Sequence, residues 1–281
     1  MIRQGSTMSH SNSPSVNESL DEKAFQITFD SEGSCVMGWF YPANGAGPSP
    51  TAILLHGFPG NDGSPLGLGP ALMAAGINAL AFNYRGTFGS EGVYLPGASV
   101  ADVDSALRVL SSSAEIRGRI DPDAIALVGY SYGGGIALMS AIANPGIHRV
   151  VSIGGAYLCE IARLCAQNDS YRQSFLGFLR DQIAASAARS PGAEACTREL
   201  QERLAKYDPV INVEKLATRD ILMIGGSRDR ESTLEVHVLP IFRALQSSGA
   251  KNLSIEIYDA DHSFETTRET LAQRVIAWMK G

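Results

Sequence analysis

Six largely apolar runs of strand length, most of them separated by stretches with helical patterning, leave this chain few folds to choose from. The runs are Thr51 to His56, Ile77 to Asn83, Ala124 to Gly129, Arg149 to Gly154, Asp220 to Gly226 and Asn252 to Tyr258. They show little alternation between apolar and polar residues, the pattern of strands covered on both faces. The intervening stretches Leu66 to Ala75, Val100 to Ser112, Tyr132 to Ala143 and Thr233 to Ser248, with Glu265 to Lys280 after the last run, are amphipathic or alanine-rich. Parallel strands need crossover connections, and helices laid on the two faces supply them. Ahead of the first run, Ala24 to Asp30 and Cys35 to Tyr41 alternate apolar and polar residues around Ser31-Glu32-Gly33-Ser34, which predicts an antiparallel hairpin at the sheet edge. The expectation is an α/β fold with an eight-stranded, mainly parallel sheet.

One interval breaks the alternation. From Tyr157 to Ala217 there is no strand signal, and Ile161 to Ala166, Tyr171 to Ala188 and Ala193 to Tyr207 read as helices. A helical cap inserted over the strand ends, about 157–217, is the economical reading of a domain covering 22–281. Within it Phe175, Leu176, Phe178, Leu179 and Ile183 recur at helical spacing. Such a face can line an acyl pocket or simply pack, and Phe175, Phe178 and Leu179 are the candidate substrate contacts. Met1 to Asp21, rich in Ser and Asn without apolar periodicity, reads as a disordered leader outside the fold.

In a sheet of this kind ligands bind beyond the carboxyl ends of the strands, so the residues just after each strand carry the chemistry. After Ala124 to Val128 comes Gly129-Tyr130-Ser131-Tyr132-Gly133, leading into a helix. A tight strand-to-helix turn of this composition pushes a serine hydroxyl out of the strand end, beside the N–H groups of a helix N-terminus. Glycine makes up 29 of 281 residues, so the bare pattern would arise by accident roughly 0.3 times in such a chain. Further groups must therefore support it. A serine hydroxyl is a weak nucleophile that needs a base in hydrogen-bond reach and a third group to orient that base. Asp229 follows the strand Asp220 to Gly226, and His262 follows the strand Asn252 to Tyr258. Asp259 and Asp261 are nearer to His262 in sequence, but a neighbour in the chain lacks the reach to the imidazole nitrogen that faces away from the nucleophile. The candidate catalytic set is Ser131, Asp229 and His262.

His56-Gly57-Phe58-Pro59-Gly60, Asn83-Tyr84-Arg85-Gly86, the turn at Ser131, Gly226-Ser227-Arg228-Asp229 and Asp261-His262-Ser263-Phe264 together resemble the α/β-hydrolase superfamily. With Gly89-Ser90-Glu91-Gly92, the resemblance is strongest to serine esterases and to acylaminoacyl-peptidases with a prolyl-oligopeptidase-like catalytic domain, and it runs from about Ala24 to the C-terminus. It implies an oxyanion hole made by the backbone N–H groups of Phe58 and Tyr132. It also implies a carboxylesterase-like enzyme without metal or organic cofactor, acting on a small ester or acyl substrate. Amide or peptide cleavage, acyl transfer or thioester cleavage, and a catalytically silent binding module are the alternatives. His56 is read as a brace for the oxyanion loop, Arg85 as an anchor of the loop Asn83 to Glu91, and His10, His148 and His237 as surface residues.

Composition narrows the rest. A net charge of -6 and a pI near 5.4 give no basic field for a nucleic acid backbone. No apolar run approaches the roughly 20 residues of a bilayer span, and the first twenty residues have no hydrophobic signal core. The expected location is cytoplasmic. Cys35, Cys159, Cys165 and Cys196 form no C-x-x-C pair and read as idle or buried thiols. Oligomeric state is not legible.

Overall fold

The computed structural model describes residues 24–45, 47–60 and 63–281; the expected leader, Met1 to Asp21, lies outside the described residues. Eight strands form a single sheet: β1 (Phe25–Ser31), β2 (Ser34–Tyr41), β3 (Ser49–Leu55), β4 (Asn78–Phe82), β5 (Ile120–Tyr130), β6 (Arg149–Ile153), β7 (Asp220–Gly226) and β8 (Leu253–Tyr258). Their order across the sheet is β1-β2-β4-β3-β5-β6-β7-β8. The hairpin β1-β2 and the pair β2-β4 are antiparallel, and the remaining pairs are parallel. The fold class expected from the sequence is the one observed.

The α-helices are α1 (Leu68–Ala74), α2 (Pro96–Ser112), α3 (Tyr132–Ala143), α4 (Leu158–Gln167), α5 (Asp169–Ser186), α6 (Ala193–Glu199), α7 (Val213–Leu216), α8 (Leu239–Ser247) and α9 (Arg268–Lys280). Helix α2 begins four residues before its apolar periodicity because Pro96, whose fixed φ suits a first helical turn, opens it. The stretch expected as one helix from Thr233 is a π-helical turn, Leu234–Val238, followed by α8 with Pro240 in its first turn. Proline has no N–H to continue the preceding ladder.

Alternate positions on the central strands face opposite layers, which is why those strands look continuously apolar. Ile53, Leu55, Leu127, Val150, Ile221 and Met223 pack with residues of α2, α3 and α8. Ala52, Leu54, Val128, Val151, Leu222 and Ile224 pack with Leu68, Leu72 and Met73 of α1 and Leu271, Val275 and Met279 of α9. Each fully buried aliphatic side chain of this size contributes about 1.5–3 kcal/mol. Among the described residues no helix is long and apolar enough to cross a membrane.

Helices α4 to α7 fill the connection between β6 and β7. Their buried side chains, Leu158, Ile161, Leu176 and Leu179 among them, join the first of these layers. A backbone clasp holds the segment: Arg189 N–H donates to Gly86 O at 2.8 Å and Tyr94 N–H donates to Arg189 O at 2.7 Å. Below this loop, Arg85 Nε donates to the buried Asp102 carboxylate at 2.6 Å and an Nη donates to Glu32 at 2.8 Å. Arg85 thus anchors its loop, as its sequence context suggested.

Candidate active site

The parallel register brings Leu55 level with Gly129, Tyr130 with Ile153, and Gly226 with Tyr258. The strands therefore end along one rim, and the loops that leave them meet. Ser131 sits between β5 and α3 with φ 55° and ψ -121°, a conformation that costs a non-glycine residue on the order of 1–3 kcal/mol. Its neighbours hold it there. Ser131 N–H donates to Ile153 O at 2.8 Å, and Ala156 N–H donates to Ser131 O at 3.0 Å. The flanking glycines are required by close approach: a Cβ on Gly129 would lie 2.1 Å from Gly133 O, and one on Gly133 would lie 2.2 Å from Leu55 O. The G-x-S-x-G spacing is thus a packing requirement of the turn.

Residues 131 positions apart then meet. His262 Nε2 lies 2.9 Å from Ser131 Oγ, and His262 Nδ1 lies 2.7 Å from Asp229 Oδ2. The other carboxylate oxygen, Oδ1, accepts the N–H groups of Ser232 at 2.8 Å and Glu231 at 2.9 Å. Burial alone would raise the Asp229 pKa, but the His262 ring and these two N–H groups outweigh it and hold the carboxyl below its ordinary value. With Asp229 ionised, Nδ1 carries a proton toward it, which leaves the Nε2 lone pair facing the serine hydroxyl.

The rival carboxylates are occupied elsewhere. Asp261 Oδ1 accepts the N–H and the hydroxyl of Ser263, and Asp259 pairs with Arg228 at 2.8 Å.

These groups open on a cavity of about 580 Å³ lined by Gly57, Phe58, Ser131, Tyr132 and His262 on the sheet side. A Cβ on Gly57 would lie 3.1 Å from Ser131 Cβ, so the loop after β3 runs directly against the serine. The opposite wall comes from the segment between β6 and β7. Phe175, Phe178 and Leu179 all line the cavity, with Leu179 buried and Phe178 43% exposed. The sequence left open whether this helical face lines a pocket or packs; it does both, since Leu176 one residue away joins the core.

Three contributors to the site were not singled out by the sequence. Tyr130 Oη donates to the backbone oxygen of His262 at 2.9 Å. Glu231 brings a carboxylate oxygen to 3.7 Å from His262 Nε2, on a side chain 66% exposed. His237, expected at the surface, is only 6% exposed and lines the cavity. Its position is a correction with a readable cause: Leu234, His237, Val238 and Ile241 share one helical phase, and that phase is the buried one. His148 is exposed as expected, and His10 lies outside the described residues.

Comparison with known proteins agrees with this architecture. The Pyrococcus furiosus esterase Pf2001 superposes with a TM-score of 0.68 at 16% identity, covering 95% of this chain and 94% of the esterase. Est1E from Butyrivibrio proteoclasticus gives 0.68 at 17%, covering 91% and 97%. The Pyrococcus horikoshii acylaminoacyl peptidase gives 0.64 at 15%, covering 92% of this chain and 40% of the peptidase. An uncharacterized protein of Mycobacterium tuberculosis is 28% identical over 132 residues, 47% of this chain and 46% of the relative. The alignment thus spans about half the length of the curated relatives it matches. Residues 52–274 match the model of the alpha/beta hydrolase family, and the chain therefore belongs to that family of enzymes.

Proposed function

We propose that this protein is a serine hydrolase that cleaves carboxylic esters through an acyl-enzyme on Ser131. The observation that carries the reading is the unbroken run of hydrogen bonds from Ser131 Oγ through both nitrogens of His262 to Asp229, at 2.9 and 2.7 Å. In the reaction His262 Nε2 takes the hydroxyl proton as Oγ bonds to the acyl carbon, and the carbonyl π electrons move to the oxygen. Asp229 stabilises the imidazolium that results. When the tetrahedral adduct collapses, its bond to the alkoxy oxygen breaks and Nε2 returns the proton to that leaving group. Water, deprotonated by the same nitrogen, then attacks the acyl-enzyme, and Ser131 leaves with the proton.

The developing oxyanion needs donors that are in place before the reaction. The backbone N–H groups of Phe58 and Tyr132 are assigned that role: Tyr132 opens α3, and Phe58 belongs to the loop packed against Ser131. Removing one such donor in comparable enzymes costs about 2.7–4 kcal/mol of transition-state stabilisation. The segment 157–217 acts as the cap of the proposed site, its aromatic and aliphatic wall receiving the apolar part of the substrate. That two structural neighbours are named as an esterase and an acylaminoacyl peptidase fits this reading at the level of fold.

The test compares purified wild-type protein with Ser131→Ala on p-nitrophenyl butyrate. Loss of at least a thousandfold in kcat/KM, with the variant still folded, supports the assignment. Equal turnover by the two proteins overturns it.

A further inference from the structure

His237 stands out among the cavity-lining residues because it is polar, buried and unused by the chemistry above. Its Nδ1 accepts the backbone N–H of Tyr157 at 3.1 Å. Tyr157 is itself held at its far end, where its hydroxyl donates to Asp208 Oδ1 at 2.8 Å, so the partner of Nδ1 is fixed. Asp229, Glu160 and His262 are the titratable groups that act on the ring, and burial outweighs the pull of the two carboxylates, so that the imidazole stays neutral at ordinary pH. A neutral imidazole that accepts at Nδ1 carries its proton on Nε2. Among the described residues Nε2 has no hydrogen-bond partner, and it is not one of the polar atoms sealed away from solvent. The ring belongs to the wall of the cavity.

The cavity that the ring lines is apolar over part of its wall, with Glu231, Ser232 and His262 among its polar lining residues. Ala156, Leu158, Ile161, Phe175, Leu179 and Leu200 contribute to the same cavity. A saturated hydrocarbon chain filling this space would displace water from Nε2–H and leave a buried donor unsatisfied, whereas a chain with an oxygen at that point would satisfy it. We propose that His237 is a specificity-determining residue that donates a hydrogen bond from Nε2 to an ether or carbonyl oxygen in the chain of the substrate. The substrate class is then esters whose organic chain is apolar apart from one oxygen acceptor set back from the scissile bond. As a statement about substrate class this rests on the ester-hydrolase reading of Ser131, and the test keeps the two apart.

The experiment measures kcat/KM for matched pairs in which one methylene is replaced by oxygen. One series carries the change in the acyl chain, as p-nitrophenyl methoxyalkanoates against alkanoates of equal length. The other carries it in the alcohol, as methoxyalkyl against alkyl butyrates. Wild type, His237→Asn and His237→Gln are compared, and the readout is the change in each pair's ratio between wild type and variant, so intrinsic ester reactivity and any general loss of rate cancel. Asn keeps an acceptor for Tyr157 N–H but lacks the reach of Nε2, while Gln restores a donor near that position.

The expected result is one oxygen position at which wild type favours the oxygen-containing ester by roughly tenfold, expressed mainly in KM. That preference falls at least fivefold in His237→Asn and is partly regained in His237→Gln. Absence of any position preferred by wild type, or equal losses for both members of every pair in His237→Asn, overturns the proposal. Binding of the corresponding N-propylamides to wild-type protein, measured by calorimetry, decides the same question without turnover. An oxygen preference there with no ester hydrolysis would sink the Ser131 reading and keep His237. Hydrolysis by Ser131 without any oxygen preference would do the reverse.

Discussion

Tyr130 Oη donates to the backbone oxygen of His262 at 2.9 Å, and the two rings lie with centroids 5.2 Å apart. The residue that precedes the serine in the turn therefore also holds the loop that presents the imidazole. One tyrosine couples the positions of two groups 131 residues apart in the chain.

Tyr130→Phe removes that hydrogen bond and keeps the ring. A neutral hydrogen bond of this kind contributes about 0.5–1.5 kcal/mol. The variant is expected to lose roughly two- to tenfold in kcat with little change in KM, while its melting temperature moves by a few degrees at most. Steady-state kinetics on p-nitrophenyl butyrate checks this; a KM effect without a kcat effect would assign Tyr130 to substrate binding instead.

Asp229→Asn leaves the geometry but replaces the acceptor at His262 Nδ1 with a group that can donate, so the ring is driven toward the tautomer that cannot take the serine proton. A loss of about 10³- to 10⁴-fold in kcat is expected. Asp259→Asn and Asp261→Asn, whose carboxylates are engaged with Arg228 and Ser263, are expected to stay within about threefold of wild type. Comparable losses in either of those two would show that the acid had been assigned to the wrong loop.

The neutral, buried His237 has a consequence for stability. Burial pushes its pKa down from 6.5 to about 4. Between those values the unfolded chain binds a proton that the folded protein does not, so stability falls as pH drops through this window and is fully present above it. The linkage amounts to about 3 kcal/mol. Urea unfolding at pH 7 and pH 4.5 is expected to show a smaller drop for His237→Asn than for wild type. An identical drop would mean that the imidazole titrates alike in both states.

Gly129→Ala places a methyl 2.1 Å from the backbone oxygen of Gly133, where no side chain can yield. The expected cost is at least about 1–3 kcal/mol of stability, the range for forced overpacking, together with loss of activity as the turn at Ser131 shifts. Thermal unfolding compared with Gly118→Ala, where a Cβ would meet nothing within 4 Å, checks it.

Much of this architecture was legible in the sequence because its causes are local or periodic. Continuous apolar runs such as Ile53 to Leu55 mark strands covered on both faces. The glycines around Ser131 mark a turn that no larger residue can make. That Asp229 and His262 lie beside Ser131 was legible because each follows a strand, and the parallel register puts strand ends on one rim. His237 was missed because its burial depends on which face of a short π-helical turn meets the sheet, although its phase with Leu234 and Ile241 was a usable signal. Tyr130 and Glu231 were missed because their contacts to His262 exist only once distant loops have met. The walls contributed by Phe175, Phe178 and Leu179 stayed open between pocket and packing for the same reason.

The most direct test of the central claim is covalent trapping. The folded protein is treated with a fluorophosphonate, and the adduct is located by intact-mass and peptide mass spectrometry. A single phosphonyl group on Ser131, formed rapidly in wild type, slowly in His262→Ala and not at all in Ser131→Ala, is the predicted result. A folded wild-type protein that remains unlabelled, or one labelled at another residue while Ser131 stays free, would contradict the account.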